Sequence, residues 1–201
     1  MGKTLSSLRG PSKNTARQKS VEGLGGFKFF VVNDSVMGGS STSELQSAQN
    51  NGDVDGIVFV GMINTRGGGF ASCRSDPEIK PVHIPPEATS LVVKVKGDGY
   101  QYKALLSDGS GAGPFARSPT YQHDLPTIVD ESREVTMHLN DFKPSFGNRL
   151  SSNPERANLV PEEMAQVGFI LSLFDASCKP NPKFGKDKFP FSLVIEHLEF
   201  K

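Results

Sequence analysis

Apolar residues recur along this chain in short runs, and glycine, proline, asparagine or aspartate separates each run from the next. Seven of these runs lie at Phe27–Val32, Ile57–Ile63, Leu91–Val95, Tyr100–Leu106, Val135–Leu139, Val167–Leu173 and Phe191–Phe200. Runs of this length between turn-forming residues are typical of β-strands, whereas helices need longer periodic segments. The pattern therefore predicts a chain built mainly from short strands.

Three of the runs place apolar side chains at every second position. The three sets are Tyr100, Tyr102, Ala104 and Leu106, then Val135, Met137 and Leu139, then Val167, Phe169, Leu171 and Leu173. A period of two puts each set on one face of a strand, so the sets predict half-buried strands that share a core. The clearest helix signal is Pro161–Met164, where a proline and two acids predict one short turn. We expect an all-β fold of two packed sheets.

The first 26 residues differ from the rest and predict an extended basic arm ahead of a β-sandwich domain at residues 27–201. The first twenty residues contain five basic residues and no acid. Such a segment buries too little apolar surface to order alone, so we expect it to bind a partner. The predicted partner-binding residues are Leu5, Leu8, Arg9, Lys13, Arg17 and Lys19. An unprocessed targeting segment is the alternative for this composition.

Charge and cysteine content narrow the class of protein. Basic and acidic residues both number 22, and because the arm holds five of the bases, the body carries an excess of five acids. This excess argues against nucleic-acid binding, which needs a basic face. No apolar run approaches the ~20 residues of a transmembrane span. Cys73 and Cys178 lie far apart and predict free thiols, with a single bridge left open.

Two glycine-rich segments, Asn33–Ser41 and Arg66–Arg74, each lie beside a strand-like run, and neither continues into a helix. Glycine weakens a strand by about 0.5–1 kcal/mol relative to alanine. Its presence there indicates a turn, a bulge or a close approach of two backbones. The glycines at 67–69 lack the Lys-Ser/Thr ending and the following helix of a phosphate-binding loop. We therefore predict a structural role and no bound nucleotide.

No motif in the sequence predicts a catalytic, cofactor or metal site. Asn51–Gly56 matches the start of a calcium loop, but the twelfth position is Met62 instead of glutamate, so we interpret it as a hairpin turn. The chain lacks the Gly-x-Ser-x-Gly motif of serine hydrolases. The histidines are not spaced as metal ligands, and they stand at His83, His123, His138 and His197.

Five segments together resemble the NADH:ubiquinone oxidoreductase intermediate-associated protein family, whose members are complex I assembly factors. In chain order they are Asn33–Ser43, Phe59–Gly61 followed by Gly68–Arg74, Gly97–Lys103, Leu139–Phe146 and Val167–Ser172. The resemblance spans residues 27–200. The chain departs from the family pattern where Phe29 or Phe30 replaces a frequent tryptophan, and where Arg66-Gly67 replaces a usual asparagine.

The resemblance implies a galactose-binding-like jelly roll without an active site or cofactor. It also implies binding to subunits of a large energy-converting complex, either respiratory complex I or a photosynthetic light-harvesting assembly, as assembly factor or bound subunit. Location in a mitochondrion or plastid would follow, at the periphery of a membrane-associated complex, with the cytoplasm as the alternative. The resemblance assigns structural roles to Asn33, Asp34, Met37, Gly38, Gly39, Gly68, Gly69, Phe70 and Arg74.

Two other functions compete with this interpretation. A carbohydrate-binding module is one, because sugar binders share the implied fold. Such modules usually present tryptophan or tyrosine platforms, whereas this chain has no tryptophan and three tyrosines. An oxidoreductase is the other, from the glycine-rich segments, but the chain lacks a dinucleotide fingerprint. A non-catalytic protein-binding module is therefore the favoured prediction.

Overall fold

The computed structural model describes residues 20–50, 53–111 and 116–201, and within them the chain forms strands joined by turns and short 3-10 helices. The strands are β1 (Val21–Gly23), β2 (Phe27–Asn33), β3 (Thr42–Asn50), β4 (Asp53–Asn64), β5 (Phe70–Ser75), β6 (Ser90–Gly97), β7 (Gln101–Ser107), β8 (Thr120–Pro126), β9 (Ser132–His138), β10 (Lys143–Phe146), β11 (Arg149–Leu150), β12 (Gln166–Ser172) and β13 (Lys188–Phe200). The 3-10 helices are Asp34–Met37, Leu139–Asp141, Pro154–Arg156 and Pro161–Glu163, the last being the short turn predicted from Pro161.

The strands form two antiparallel sheets. The larger has eight strands in the order β1-β2-β5-β12-β7-β8-β10-β11, and the smaller has five in the order β3-β4-β13-β6-β9. The chain crosses from one sheet to the other seven times, between β2 and β3, β4 and β5, β5 and β6, β6 and β7, β8 and β9, β9 and β10, and β12 and β13. Because successive strands so often change sheets, most strand pairs are non-local in sequence. The predicted all-β sandwich is confirmed.

The core lies between the sheets and contains most of the alternating sets predicted from the sequence. Their fully buried members are Tyr102, Ala104, Leu106, Met137, Val167, Phe169 and Leu171. The prediction is wrong for Leu173, which is 37% exposed. The strand ends at Ser172, and the Leu173 amide donates to the Gly69 carbonyl at 3.1 Å, one position beyond the last pair of the β5–β12 ladder.

The sheet begins six residues before the predicted domain start at Phe27. Strand β1 pairs with β2 so that Val21 lies opposite Phe29, and the side chains of Val21 and Leu24 are buried in the core. These aliphatic residues are enough to fix the end of the predicted arm in the sandwich. The residues predicted to bind a partner lie outside the described residues, namely Leu5, Leu8, Arg9, Lys13, Arg17 and Lys19.

Candidate functional site

The two glycine-rich segments meet at one buried carboxylate. Asp34, at the start of the first 3-10 helix, is 0% exposed. Its Oδ1 accepts from the Ser41 amide at 2.9 Å, and its Oδ2 accepts from Ser41 Oγ at 2.6 Å. The Gly69 amide, 35 residues away, donates to the same Oδ2 at 2.7 Å. Asp34 therefore closes the first segment on itself and attaches the second segment to it.

The glycines around this junction serve two different purposes. A Cβ atom at Gly39 would lie 2.3 Å from Asp34 Cγ, and one at Gly68 would lie 2.3 Å from Asp34 Oδ2. Both positions therefore need glycine to leave room for the carboxylate. Gly38 and Gly69 instead have φ angles of 87° and 132°, a region that side chains other than glycine rarely adopt.

Other motif residues surround the junction and lie closer to the surface. Met37 ends the 3-10 helix and is 70% exposed, while Phe70 is half-buried at the start of β5. Asn33 connects the two sheets, because its Oδ1 accepts from Ser43 Oγ on β3 at 2.6 Å. The junction is thus rigid inside and presents a methionine and a phenylalanine outside.

The outer face of the eight-stranded sheet carries the last motif residue, Arg74. Strand alternation turns one set of positions on three adjacent strands away from the core. We call this set the open face, and it comprises Lys28, Phe30, Val32, Phe70, Ser72, Arg74, Gln166, Gly168, Ile170 and Ser172. Ser72 and Gly168 are buried within it. Phe30, Arg74 and Gly168 form one row across β2, β5 and β12. Half-buried apolar side chains therefore flank Arg74, both on β5 and on the two neighbouring strands.

A loop at residues 173–187 covers the adjoining part of this sheet. Lys103 Nζ on β7 donates to the Asp175 carbonyl at 3.4 Å, and Gln122 Nε2 on β8 donates to the Ala176 carbonyl at 3.1 Å. Asn181 Nδ2 donates to the Gln101 carbonyl at 2.8 Å. These contacts bury polar side chains of β7 and β8 under the loop, and they leave the open face beside it.

Lys103 is a buried cation whose charge is compensated. It is 5% exposed, and burial lowers the pKa of its ammonium to about 8, against the opposing influence of Cys178, Asp124 and Asp175. Cys178 reaches this region from the loop, where Gln122 Nε2 lies 3.5 Å from its sulfur.

The two cysteines lie on opposite sides of the same sheet. Cys73 points into the core, where burial raises the pKa of its thiol to about 12, while Cys178 sits in the loop over the outer face. Both thiols are free.

Arg74 is a cation without an acidic partner in the described part of the chain. Its one hydrogen bond there runs from Nη1 to Gln166 Oε1 at 3.5 Å, and its buried Nε has no partner. None of the ion pairs between described residues includes it. Burial lowers the pKa of the guanidinium to about 10, so it stays protonated at neutral pH.

A cleft of about 440 Å³ opens at β8 and β10, on another part of the domain. Its lining includes His123, Asp124, Asp141 and Lys143. His123 Nδ1 donates to the Asp124 carbonyl at 2.8 Å, and its ring centroid lies 5.3 Å from that of Phe142. The cleft thus brings a single histidine near acids and a lysine.

The other histidines lie apart from this cleft and from one another. His83 is exposed in a loop, His138 Nδ1 lies 3.0 Å from Ser90 Oγ, and His197 Nε2 lies 3.5 Å from Glu199. Among the described residues, no three histidine, cysteine or acidic side chains are grouped as metal ligands. Asn50 pairs with Asp53 in an antiparallel ladder, so β3 and β4 form the predicted hairpin.

Sequence reasoning missed how Arg74 is seated. Gly168 and Gln166 on β12 lie next to the arginine, but nothing in the sequence around them indicates that they contact it. The one usable signal was alternation, because Ala71 and Cys73 face inward and Arg74 must then face outward. Residues 20–50, 53–111 and 116–201 contain no helix long and apolar enough to span a membrane.

Comparison with known proteins gives one family and one fold. Residues 22–195 match the model of a family described as complex I intermediate-associated protein 30. An uncharacterised protein of Schizosaccharomyces pombe is 24% identical over an alignment that covers 73% of this chain and 69% of that protein.

Solved structures with a similar fold include carbohydrate-binding modules. The family 11 module of the cellulosomal cellulase Lic26A-Cel5E of Clostridium thermocellum superposes with a TM-score of 0.57 at 8% identity, covering 91% of this chain and 93% of the module. A family 11 module from C. thermocellum in complex with a β-1,3-1,4-mixed-linked tetrasaccharide superposes with a TM-score of 0.54 at 7% identity, covering 89% of this chain and 95% of the module. At these identities the likeness shows the fold alone, and it confirms the predicted galactose-binding-like sandwich.

Proposed function

The chain belongs to the complex I intermediate-associated protein 30 family, as its motifs predicted, and we propose that it is a non-catalytic protein-binding module for complex I. It assists the assembly of that complex or stabilises it as a bound subunit. Family membership carries this proposal, since the family is one of assembly factors. Fold alone would not carry it, because one scaffold serves many functions.

The composition of the open face supports docking of a protein. Protein interfaces are enriched in aromatic residues, methionine and arginine relative to the rest of the surface. The open face has Phe30, Phe70 and Arg74, and Met37 lies exposed beside it at the junction. The Asp34 junction holds these two surface segments in a fixed relation, which lowers the entropy lost on binding.

The tyrosines do not favour the carbohydrate-binding alternative. Tyr102 and Tyr121 are 0% and 2% exposed, so neither offers a ring face to a sugar. Tyr100 is half-buried, and its ring centroid lies 5.1 Å from that of Phe189. The tetrasaccharide-binding relative therefore shares its architecture with this chain, but the described tyrosines offer no corresponding platform.

The family description names complex I, so we propose complex I as the client and the mitochondrion as the location. A photosynthetic client and a plastid location are predictions that come from the sequence resemblance alone. The basic segment at residues 1–19 of the predicted arm is proposed as a second contact, drawn to an acidic surface of the client by its positive charges.

Affinity purification from the native source tests this function. A tagged full-length chain should enrich complex I subunits, identified by mass spectrometry. Ile170→Glu places a charge on the open face and should reduce the enrichment, whereas Thr136→Glu, on the exposed face of the other sheet, serves as the matched control. Failure of the wild-type chain to enrich subunits of any multi-subunit complex would refute the proposal.

A further inference from the structure

The side chain of Arg74 packs against the backbone of the neighbouring strand β12, at a glycine. Gly168 is its partner in the ladder, and a Cβ atom there would lie 3.0 Å from Arg74 Cγ and 2.7 Å from the Cys73 carbonyl oxygen. The missing side chain at 168 therefore leaves room for the aliphatic stem of the arginine. The stem lies against β12, and the side chain is half-buried on the outward side of the sheet with its Nε enclosed.

The seat supplies far fewer hydrogen-bond acceptors than the guanidinium has donors. Five N–H groups are available on an arginine, and the described residues accept one of them, at the long distance of 3.5 Å. That acceptor, Gln166 Oε1, also accepts from Ser107 Oγ at 3.2 Å, while Gln166 Nε2 is held by the Ser75 carbonyl at 2.8 Å. Gln166 is thus fixed by other partners and cannot turn to serve the arginine better.

No nearby charge offsets the guanidinium within the described residues, in contrast to Lys103, which has Asp124 and Asp175 near it. Asp76, two residues along the chain, accepts the Glu78 amide at 3.0 Å and forms no ion pair with Arg74. A half-buried, unpaired cation is costly to keep in a fold. An external anion would remove that cost in the bound state.

We propose that Arg74 is the anchor of the open face and that it binds the carboxylate of an aspartate or glutamate side chain on the partner protein. The inference rests on the proposed function and names the partner's chemistry. A planar guanidinium binds a carboxylate through two parallel hydrogen bonds. Half-buried Phe30 and Ile170 beside it exclude water from such a pair, and this is the setting in which arginines become interface hot spots.

The charge of the site favours a carboxylate over a phosphate. Sites for phosphorylated peptides gather several arginines, whereas Arg74 is the one cation in its row of the open face. Lys103 lies under the loop with its own acids, and Lys28 lies at the ladder position of Asp76, whose amide donates to the Lys28 carbonyl at 2.7 Å. A single guanidinium matches a singly charged carboxylate.

Three variants of the full-length tagged chain test the inference through retention of complex I subunits. Arg74→Gln should reduce retention about tenfold or more, because the partner's carboxylate loses its charged donor. Arg149→Gln makes the same charge change on β11, which lies five strands away and so roughly 24 Å across the sheet, and it should retain subunits as the wild type does. Arg74→Gln should also unfold at or above the wild-type temperature, since it removes an unpaired cation.

Arg74→Lys identifies the partner's group directly. A zero-length carbodiimide joins an amine to a carboxylate in contact with it, so it should cross-link position 74 to an aspartate or glutamate of a client subunit. Full retention by Arg74→Gln, or a cross-link only to Asp76 of the same chain, would overturn the inference. Loss of retention after phosphatase treatment of the client would also overturn the inference, since it would show that the partner's group is a phosphate and not a carboxylate. If the wild type retains no subunits, the proposed function itself fails, which is a separate result.

Discussion

Replacing Asp34 by asparagine should destabilise the fold although it changes neither volume nor shape. One carboxylate oxygen becomes an NH₂ group, and the two orientations of the amide place that group at different donors. If nitrogen takes the Oδ1 position it faces the Ser41 amide, and if it takes the Oδ2 position it faces the Gly69 amide. A hydroxyl rotates to suit, but a backbone N–H is fixed. The Phe70 amide also donates to Oδ2, at 3.4 Å, so either orientation leaves at least one buried backbone donor without an acceptor.

The expected cost follows from that count. A buried donor left unsatisfied costs about 1–3 kcal/mol, and the surviving bonds lose their ionic character. We expect Asp34→Asn to lower the free energy of unfolding by about 2–4 kcal/mol. Asp34→Ala leaves the amides of Ser41, Gly69 and Phe70 and the Ser41 hydroxyl without this acceptor. It should therefore cost more, about 3–5 kcal/mol. Urea unfolding with linear extrapolation measures both values.

The neighbouring glycines supply the matched control. Gly38→Ala meets no atom within 4 Å but keeps a φ of 87°, so it should cost about 1–2 kcal/mol in backbone strain. Gly39→Ala instead forces a methyl group into the carboxylate and should cost about 1–3 kcal/mol or more. Because Asp34→Ala removes that obstacle, the double variant with Gly39→Ala should cost clearly less than the sum of the two single changes. Additive costs, or an Asp34→Asn loss under about 1 kcal/mol, would refute this account of the junction.

Three further predictions address the core, the buried lysine and the arm. Phe169→Ala should cost about 3–5 kcal/mol in the same unfolding assay, as large-to-small changes in a core do, and a loss under about 1 kcal/mol would contradict its burial. Burial lowers the pKa of Lys103 from 10.5 to about 8, so between these pH values the unfolded chain binds more protons than the folded one. As the pH is raised through that range, the unfolding free energy of the wild type should therefore increase by up to about 3 kcal/mol relative to that of Lys103→Met. A difference that stays constant with pH would contradict this prediction. Deletion of residues 1–19 keeps β1 and should leave the melting temperature nearly unchanged while weakening client retention, most at low salt; equal retention at every salt concentration would exclude the arm as a binding element.

The seven predicted runs fall on β2, β4, β6, β7, β9, β12 and β13, each of which contributes buried apolar side chains to the core. Strand β3 was missed because it lies at the edge of its sheet and has only one fully core-facing aliphatic residue, Leu45, among polar neighbours. Strand β8 was missed for a related reason, since His123 and Asp124 interrupt the apolar alternation around Tyr121 and Leu125. Where burial is supplied by other strands, a polar segment pairs without an apolar pattern of its own.

The site was less predictable than the fold because its contacts depend on register. Asp34 and Gly69 are 35 residues apart and meet only because β2 and β5 pair with Asn33 opposite Ala71. The sequence identified the glycines as features that needed a reason, but the reason is a carboxylate from the other segment. For Arg74 the decisive fact is the lack of a partner in the described chain, and that is visible only once the surrounding acids have been placed.

The two motif charges have opposite roles, with Asp34 in the 3-10 helix that follows β2 and Arg74 on β5, the strand that pairs with β2. Asp34 is satisfied by neutral donors inside the fold, and it follows Asn33, which is three ladder positions from the row of Arg74. That row is therefore roughly 13 Å away along the strand, beyond the reach of an ion pair. An arginine with a structural role would be expected to pair with an acid of the same chain, because losing one member of a buried charge pair is strongly destabilising. The effect of Arg74→Gln on stability therefore separates the two roles: a structural residue would lose stability together with binding, whereas an anchor for an external carboxylate would lose binding alone.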